Sequence, residues 1–204
     1  MPQVNAAKYV CSFATLLLAS ALNAAVPEHK SIVVTQGTNV QVTVSPDHTM
    51  MLTNIQGLIY AMPFGGGTGK LLTTPVQEAS HPDWSAKGGV VALQSYAGGT
   101  FHIWTMKPDG TELKQLTTGH GDDREPRISP DGKTIAFSSD RAFEGSYDIW
   151  TVEIATGKLT RVTKSADDEF GPNWTPDGTA LMFVSGTGIA GKSIEHIELA
   201  TGKQ

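Results

Sequence analysis

Cysteine is almost absent from this sequence, which contains one Cys in 204 residues. A single Cys cannot form an internal disulfide, and no group of Cys and His residues has zinc-finger spacing. Charged residues are also sparse, at 17%, and the formal net charge is -5. An acidic chain of this kind has no general electrostatic attraction for nucleic acid, so we exclude nucleic acid as a partner.

Sequence signatures of catalysis and of cofactor binding are missing as well. No Gly-x-Ser-x-Gly elbow occurs, and the His residues form neither a His-x-His nor a His-Glu-x-x-His pair. The glycine run before Lys70 is not a phosphate loop, because Phe64 replaces the first required Gly and Leu71 replaces the required Ser or Thr. We therefore predict no catalytic set, no metal site and no cofactor within this chain.

The N-terminus has the pattern of a secretory signal peptide. Lys8 precedes an apolar run over residues 10–22, and small residues follow, with cleavage expected after Ala24 or alternatively after Ala21. The run is too short to cross a bilayer comfortably. We predict that residues 1–24 are removed and that the mature chain is periplasmic or secreted, with no membrane span. A buried first helix is the alternative.

Four copies of one unit occupy the rest of the chain. Their separations are 40, 44 and 46 residues, measured between Ser45, Ser85, Ser129 and Thr175. Each unit has runs rich in Val, Ile, Phe and Thr between turn residues, such as Pro130-Asp131-Gly132. This period is typical of a four-stranded β-propeller blade. The sequence thus predicts an all-β propeller of four-stranded antiparallel blades.

The predicted domain bounds follow from these repeats. Residues 25–44 form a lead-in segment and the first strand, and residues 45–204 form the repeats. The approximate repeat bounds are 45–80, 81–122, 123–166 and 167–204. Trp104 and Trp150 occupy matching positions in two repeats, and we expect them to pack between blades rather than to bind a ligand.

The run over residues 129–141, followed by Asp148-Ile149-Trp150, resembles the repeat of TolB-like β-propellers. The resemblance covers roughly residues 31–204, although the first repeat is weaker and the fourth lacks the Trp at Glu195. It implies a propeller of the type found in periplasmic TolB proteins and as an N-terminal domain of secreted peptidases and amidohydrolases. The run over residues 35–40 looks most similar to that of the propeller-bearing amidohydrolases.

Members of this family usually have more than four blades, so the resemblance implies an incomplete, truncated ring. The alternative is that residues 31–35 supply the missing strand of the last repeat and close a four-bladed ring. Contact between residues 31–35 and 193–200 would exclude truncation. An open array would leave an apolar blade face uncovered, which favours association.

Acidic residues recur just before two predicted inner strands, at one rim of the expected central channel. Turn capping is the simpler interpretation of this pattern, and a polar or cation-binding channel mouth is the functional one. The candidate rim residues are Glu78, His81, Asp123, Arg124, Glu125, Asp168 and Glu169.

Three functions remain open at this point. The first is an exported, non-catalytic module that binds a protein or peptide partner in the cell envelope. The second is the N-terminal propeller of a larger secreted hydrolase, an amidohydrolase or peptidase, whose catalytic domain lies beyond residue 204. The third is a self-assembling piece in which two four-blade arrays pair.

Overall fold

A computed structural model describes residues 40–186 and 191–203. The predicted signal peptide, residues 1–24, and the strand-like residues 31–35 lie outside these described residues. Within the described ranges the chain forms fifteen strands and one short 3-10 turn. The strands coincide with the runs of β-branched and aromatic residues, which favour a pleated, half-buried surface.

The strands form four antiparallel sheets, each in chain order. The first sheet contains β1 (Val42–Val44), β2 (Met50–Ile55), β3 (Leu58–Pro63) and β4 (Lys70–Leu71). After the 3-10 turn (Pro75–Gln77), the second contains β5 (Ala79–Trp84), β6 (Val91–Ser95), β7 (His102–Met106) and β8 (Lys114–Gln115). The third contains β9 (Asp123–Ile128), β10 (Thr134–Phe143), β11 (Ser146–Glu153) and β12 (Leu159–Arg161). The fourth contains β13 (Glu169–Trp174), β14 (Ala180–Ser185) and β15 (Ser193–Glu198).

The four repeat anchors occupy the same structural position. Each donates its backbone N–H to the carbonyl five residues later, at 2.9 Å for Ser45, Ser85 and Thr175 and at 2.8 Å for Ser129. Three of the four also donate a side-chain hydroxyl to the Asp two residues on, each at 2.6 Å. The same backbone hydrogen bond therefore closes the turn in each sheet, and the hydroxyl-to-Asp bond recurs in three of them, which confirms that the repeats are structural copies.

The hydrophobic core lies between successive sheets rather than within one. Ile59, Ile103 and Ile149 occupy one equivalent position in β3, β7 and β11, and all three are fully buried. Ile149, for example, packs in a cluster with Leu181 and Phe183 of the next sheet. Burial of a side chain of this size contributes about 1.5–3 kcal/mol, so each sheet depends on its neighbour for stability.

The two matched tryptophans pack at these interfaces, as predicted. Trp104 packs against the core between the first and second sheets, and Trp150 against the core between the second and third. In the fourth sheet the corresponding residue is Glu195, which pairs with Phe183 in the strand ladder. The fourth sheet therefore presents a more polar third strand than the others.

The fourth sheet differs from the other three in two respects. Among the described residues β15 has no neighbour on its outer side, whereas β3, β7 and β11 each pair with a short fourth strand. Its outward face also exposes Met182 by 46% and Ile194 by 75%. The strand that the sequence analysis expected to be missing from the last repeat is thus not supplied by any described segment.

The ring formed by the described residues is open. Interfaces join the first sheet to the second, the second to the third and the third to the fourth, and within residues 40–186 and 191–203 no comparable interface joins the fourth to the first. An all-β, incomplete propeller is thus confirmed. The contact proposed above between residues 31–35 and β15 falls outside the described residues.

Candidate functional site

One edge of the sheet array, here called the rim, is formed where β5, β9 and β13 begin and where β6, β10 and β14 end. Each of these first strands has a bulge at its third residue. His81, Glu125 and Gly171 occupy the three bulges, with φ of 52°, 56° and 61°. Only Gly adopts this left-handed conformation without steric cost, so His81 and Glu125 are strained.

Side chains of the preceding sheet hold the bulges in place. The Glu125 amide donates to Gln94 Oε1 at 2.7 Å, across the boundary between the second and third sheets. The Gly171 amide donates to Glu125 Oε2 at 2.7 Å and to Ser138 Oγ at 3.2 Å. Gln94 and Ser138 have the same register position in β6 and β10. These hydrogen bonds link the second sheet to the third and the third sheet to the fourth at the rim.

Asp168 caps the backbone of the preceding sheet. Its Oδ1 accepts the Tyr147 amide at 3.1 Å. One repeat earlier, Asp122 Oδ1 accepts the Phe101 amide at 2.9 Å. Since both carboxylates satisfy a backbone donor at a strand start, the capping interpretation accounts for the recurrence of acidic residues here.

Asp123 lies at the centre of a buried ionic cluster. Its carboxylate accepts hydrogen bonds from the Ser139 hydroxyl at 2.6 Å and from the Arg141 guanidinium, and His102 Nδ1 lies 3.4 Å from its Oδ2. Asp123 is fully buried and the Arg141 side chain nearly so. The cluster joins β7 to β9 and β10. Removing one charge would leave the other uncompensated in the interior.

Glu169 has the same position as Asp123 in the next sheet, with different partners. It is fully buried, and neither carboxylate oxygen accepts a hydrogen bond of normal geometry from the described residues. Burial raises the pKa of Glu169, the charges of Asp148 and Glu195 raise it further, and the nearby Thr163 hydroxyl offsets part of this effect. Arg161 pairs instead with Asp148, at 2.8 Å. Glu169 therefore takes up a proton more readily than an exposed carboxylate.

Arg124 and aromatic side chains form the outer surface of the rim. The Arg124 guanidinium carbon lies 4.5 Å from the centre of the Phe101 ring, and its Nη2 lies 2.7 Å from Asp122 Oδ2. One sheet later, Phe170 has the same strand position and packs on Tyr147 with ring centres 4.9 Å apart. An arginine held over an aromatic ring adds modest cation–π stabilisation.

A cleft of about 990 Å³ opens at the rim between the first and second sheets. Its polar and aromatic lining comprises Gln41, Asn54, Gln56, Glu78, Ser80, His81, Gln94 and Phe101. Burial lowers the pKa of His81. The negative charge of Glu125 raises it by a smaller amount, so the net shift is downward and the ring is neutral at pH 7. A neutral imidazole both donates and accepts hydrogen bonds. The cleft therefore offers mainly uncharged hydrogen-bonding groups beside the exposed Glu78.

The predicted rim residues form a series along the rim rather than one convergent group. Glu78 and His81 share the cleft. Arg124 and Glu125 are close enough to influence the pKa of His81. Asp123 lies at the boundary between the second and third sheets, and Asp168 and Glu169 lie at the boundary between the third and fourth sheets.

Sequence reasoning missed the amide side chains of the cleft. Gln94 and Asn54 are buried polar residues in largely apolar strands. A polar residue at that point of an apolar run was the available signal, because a buried amide requires partners.

In the described part of the chain no group of three or more His, Cys, Asp or Glu residues could hold a metal ion. No helix found there has the length and apolar character needed to cross a membrane.

Successive antiparallel sheets that bury their faces against one another define this chain as a β-propeller protein. The family model of the TolB beta propeller domain matches residues 59–203. The chain belongs to that family.

Curated relatives match shorter segments. The Protein TolB homolog of Chlorobium luteolum is 38% identical over 60 residues, covering 29% of this chain and 14% of that protein. The Tol-Pal system protein TolB of Francisella tularensis is 31% identical over 62 residues, covering 30% and 14%. An uncharacterized protein of Agrobacterium fabrum is 35% identical over 83 residues, covering 41% and 28%. The matches thus span 14% to 28% of these relatives' own lengths.

Solved structures share the fold at lower identity. The putative TolB of Agrobacterium tumefaciens has a TM-score of 0.63 at 23% identity, over 78% of this chain and 77% of that one. TolB of Acinetobacter baumannii has a TM-score of 0.66 at 22% identity, over 79% and 42%. Dipeptidyl peptidase 4 of Porphyromonas gingivalis has a TM-score of 0.62 at 13% identity, over 85% and 27%. These likenesses concern the fold alone.

Proposed function

We propose that this chain is an exported, non-catalytic β-propeller module that binds a protein or peptide partner through its rim. The observation that carries this proposal is the open cleft lined by amide, imidazole and acid groups. Such groups match the N–H and C=O groups of an extended peptide. The signal-like N-terminus and a relative named as a Tol-Pal system protein support a periplasmic or secreted location.

The backbone of His81 adds support. A left-handed residue other than Gly costs on the order of 1–3 kcal/mol, and such strain is concentrated at functional sites. His81 is held at φ 52° and lines the cleft, whereas the equivalent Gly171 adopts the conformation freely. A strained backbone at a residue whose side chain lines an open cleft favours a binding role for that side chain.

Site-specific photo-cross-linking in cells that export the full chain tests the rim. A photoreactive residue at Gln56, which is exposed and lines the cleft, should form an adduct with a discrete partner. His81→Asn, which tolerates the left-handed backbone, should reduce the adduct about tenfold, equivalent to about 1.4 kcal/mol of binding. Glu144, exposed in the β10–β11 hairpin, is the matched control position. Equal adducts at both positions, or none at Gln56, would contradict the proposal.

A second candidate function is the propeller portion of a larger secreted hydrolase, an amidohydrolase or peptidase. The observation that favours it is the exposed apolar face of the fourth sheet, with Met182 and Ile194, because such patches mark contact surfaces. The fold-level neighbours include a puromycin hydrolase, 15% identical, of which this chain covers 31%. Reading the gene past codon 204 is decisive: a stop codon there refutes this candidate, and an open frame encoding a metal-binding His-x-His supports it.

A further inference from the structure

A row of side chains crosses the inner strands at the end opposite to the rim. The row consists of the last residue but one of β1, β5, β9 and β13, namely Thr43, Asp83, Arg127 and Asn173. Thr43 Oγ1 accepts the backbone N–H of Trp84, the last residue of the next inner strand, at 3.1 Å. Asp83 Oδ2 accepts the equivalent N–H of Ile128 at 2.7 Å. At the first two steps of the row, a side-chain oxygen therefore satisfies the backbone of the next sheet.

Arg127 interrupts this pattern at the third step, where the Trp174 N–H is the equivalent donor. This N–H points away from β14, because the neighbouring Thr175 N–H bonds to Ala180 O at 2.9 Å and successive amides of a strand point to opposite sides. A guanidinium carries donors and no acceptor, so Arg127 cannot receive the Trp174 N–H. The third step therefore presents donors where the first two steps supply an acceptor.

Arg127 also differs from the other arginines in its partners. The chain contains four arginines, and each of the other three forms an ion pair with an aspartate. In the two ranges that the structure describes, no ion pair involves Arg127. Its Nε donates to Asn173 Oδ1 at 3.3 Å, and its Nη1 donates to Pro126 O at 3.0 Å. These two hydrogen bonds orient the guanidinium and leave Nη2 available to an added acceptor.

Arg127, Asn173 and Trp174 line a cleft of about 350 Å³. Its apolar walls come from three successive sheets and comprise Trp84, Ala86, Ile128, Pro130, Trp174 and Pro176. Of the described residues that line it, Asp83 is the only acid. The Ile128 N–H occupies Asp83 Oδ2, and burial raises the pKa of Asp83. The cleft therefore combines a cation and a backbone donor with apolar walls, which is the composition of a small-ligand site.

We propose that this cleft binds a carboxylate that is attached to an apolar group. The carboxylate accepts hydrogen bonds from Arg127 Nη2 and the Trp174 N–H, and so supplies the acceptor that Thr43 and Asp83 provide at the earlier steps. The apolar group packs against the tryptophan walls. A peptide C-terminus and a small organic acid both have this chemistry. The cleft lies at the opposite end of the inner strands from the rim cleft, so failure of one proposal does not affect the other.

The indole N–H signals of the ¹⁵N-labelled full chain provide a direct readout, because two of its four tryptophans line the cleft and two pack elsewhere. The peptide acetyl-Gly-Ala-Leu with a free C-terminus should shift the signals of Trp84 and Trp174 saturably and leave those of Trp104 and Trp150 unchanged. The same peptide with a C-terminal amide should shift none of them. The small acid 4-methylpentanoate separates the two sources: equal affinity assigns a small organic acid, and much weaker affinity assigns a peptide terminus.

Arg127→Gln should weaken binding of the free-acid peptide about tenfold or more, because it removes the charge that pairs with the carboxylate. Lys133→Gln is the matched control, since it removes an exposed charge of the same sheet outside the cleft, and it should bind within about twofold of the wild type. Melting temperatures near that of the wild type show that both variants fold. Equal shifts with the acid and the amide, no saturable shift, or unchanged affinity in Arg127→Gln would overturn the proposal. The acid–amide comparison uses the wild-type chain, so it decides even where a variant does not fold.

Discussion

Ile149 and Ile194 hold the same place in successive sheets, but a following sheet covers only the Ile149 side chain. Ile149 is fully buried and Ile194 is 75% exposed. Substitution of Ile149 by Ala removes three carbons, or about 2.4 kcal/mol at about 0.8 kcal/mol each. The remaining cavity brings the expected loss to about 3–4 kcal/mol. Ile194→Ala creates no cavity and should cost less than about 1 kcal/mol, the span of strand propensity.

Urea unfolding of the two single variants measures this difference. With a slope of about 2 kcal/mol per molar, Ile149→Ala should lower the midpoint by about 1.5–2 M and Ile194→Ala by less than about 0.5 M. Equal losses would refute the reasoning, because they would mean that the fourth sheet is covered like the third. A negligible loss at Ile149 would refute it equally, because the interfaces would then not form the core.

Two further variants test the buried carboxyl and the close packing of the rim. Burial raises the pKa of Glu169 in the folded chain. Its contribution to the free energy of unfolding is therefore most favourable below the ordinary pKa of about 4.3, and is lost as the pH rises through the folded pKa. Glu169→Gln should therefore unfold at a higher temperature than the wild type at pH 8, with the gap closing near pH 4; a constant gap would contradict the assigned shift. Gly121→Ala would place a methyl carbon 2.5 Å from Arg141 Cα, so its melting temperature should fall by several degrees, in line with about 2 kcal/mol or more. Gly89 has open space and an ordinary φ, so Gly89→Ala is the control, and equal melting temperatures for the two variants would contradict the packing described.

The fold could be predicted because its determinants are local and repeated. The turn at Ser129 and Asp131 depends on hydrogen bonds between residues two to five apart, and the sequence displays that Ser/Thr-x-Asp pattern in three of the four repeats. Alternation and period then predict the strands and their number per repeat. The missing fourth strand of the last repeat was also expected from the repeat pattern, whereas the segment that lies beside the edge of β15 could not be predicted, because that depends on contacts between distant parts of the chain.

The site was less predictable because its contacts join residues far apart in the chain. Gln94 binds the amide of Glu125, and Arg141 neutralises Asp123 from another strand. Residue type alone indicated an acidic rim, yet Asp123 is buried and hydrogen-bonded whereas Glu78 is exposed. Distinguishing these cases requires knowledge of burial, which arises only when neighbouring sheets pack.

Hydrogen exchange of the full chain tests the central claim most directly, namely that four successive repeat sheets form an open array in which, among the described residues, the last strand has a neighbour on one side only. The account predicts that the amide of Ile149, which donates to Thr163, is strongly protected. The equivalent amide of Ile194 should exchange faster by orders of magnitude, because unpaired edge amides open at little cost. Equal protection at the two positions would contradict the open array.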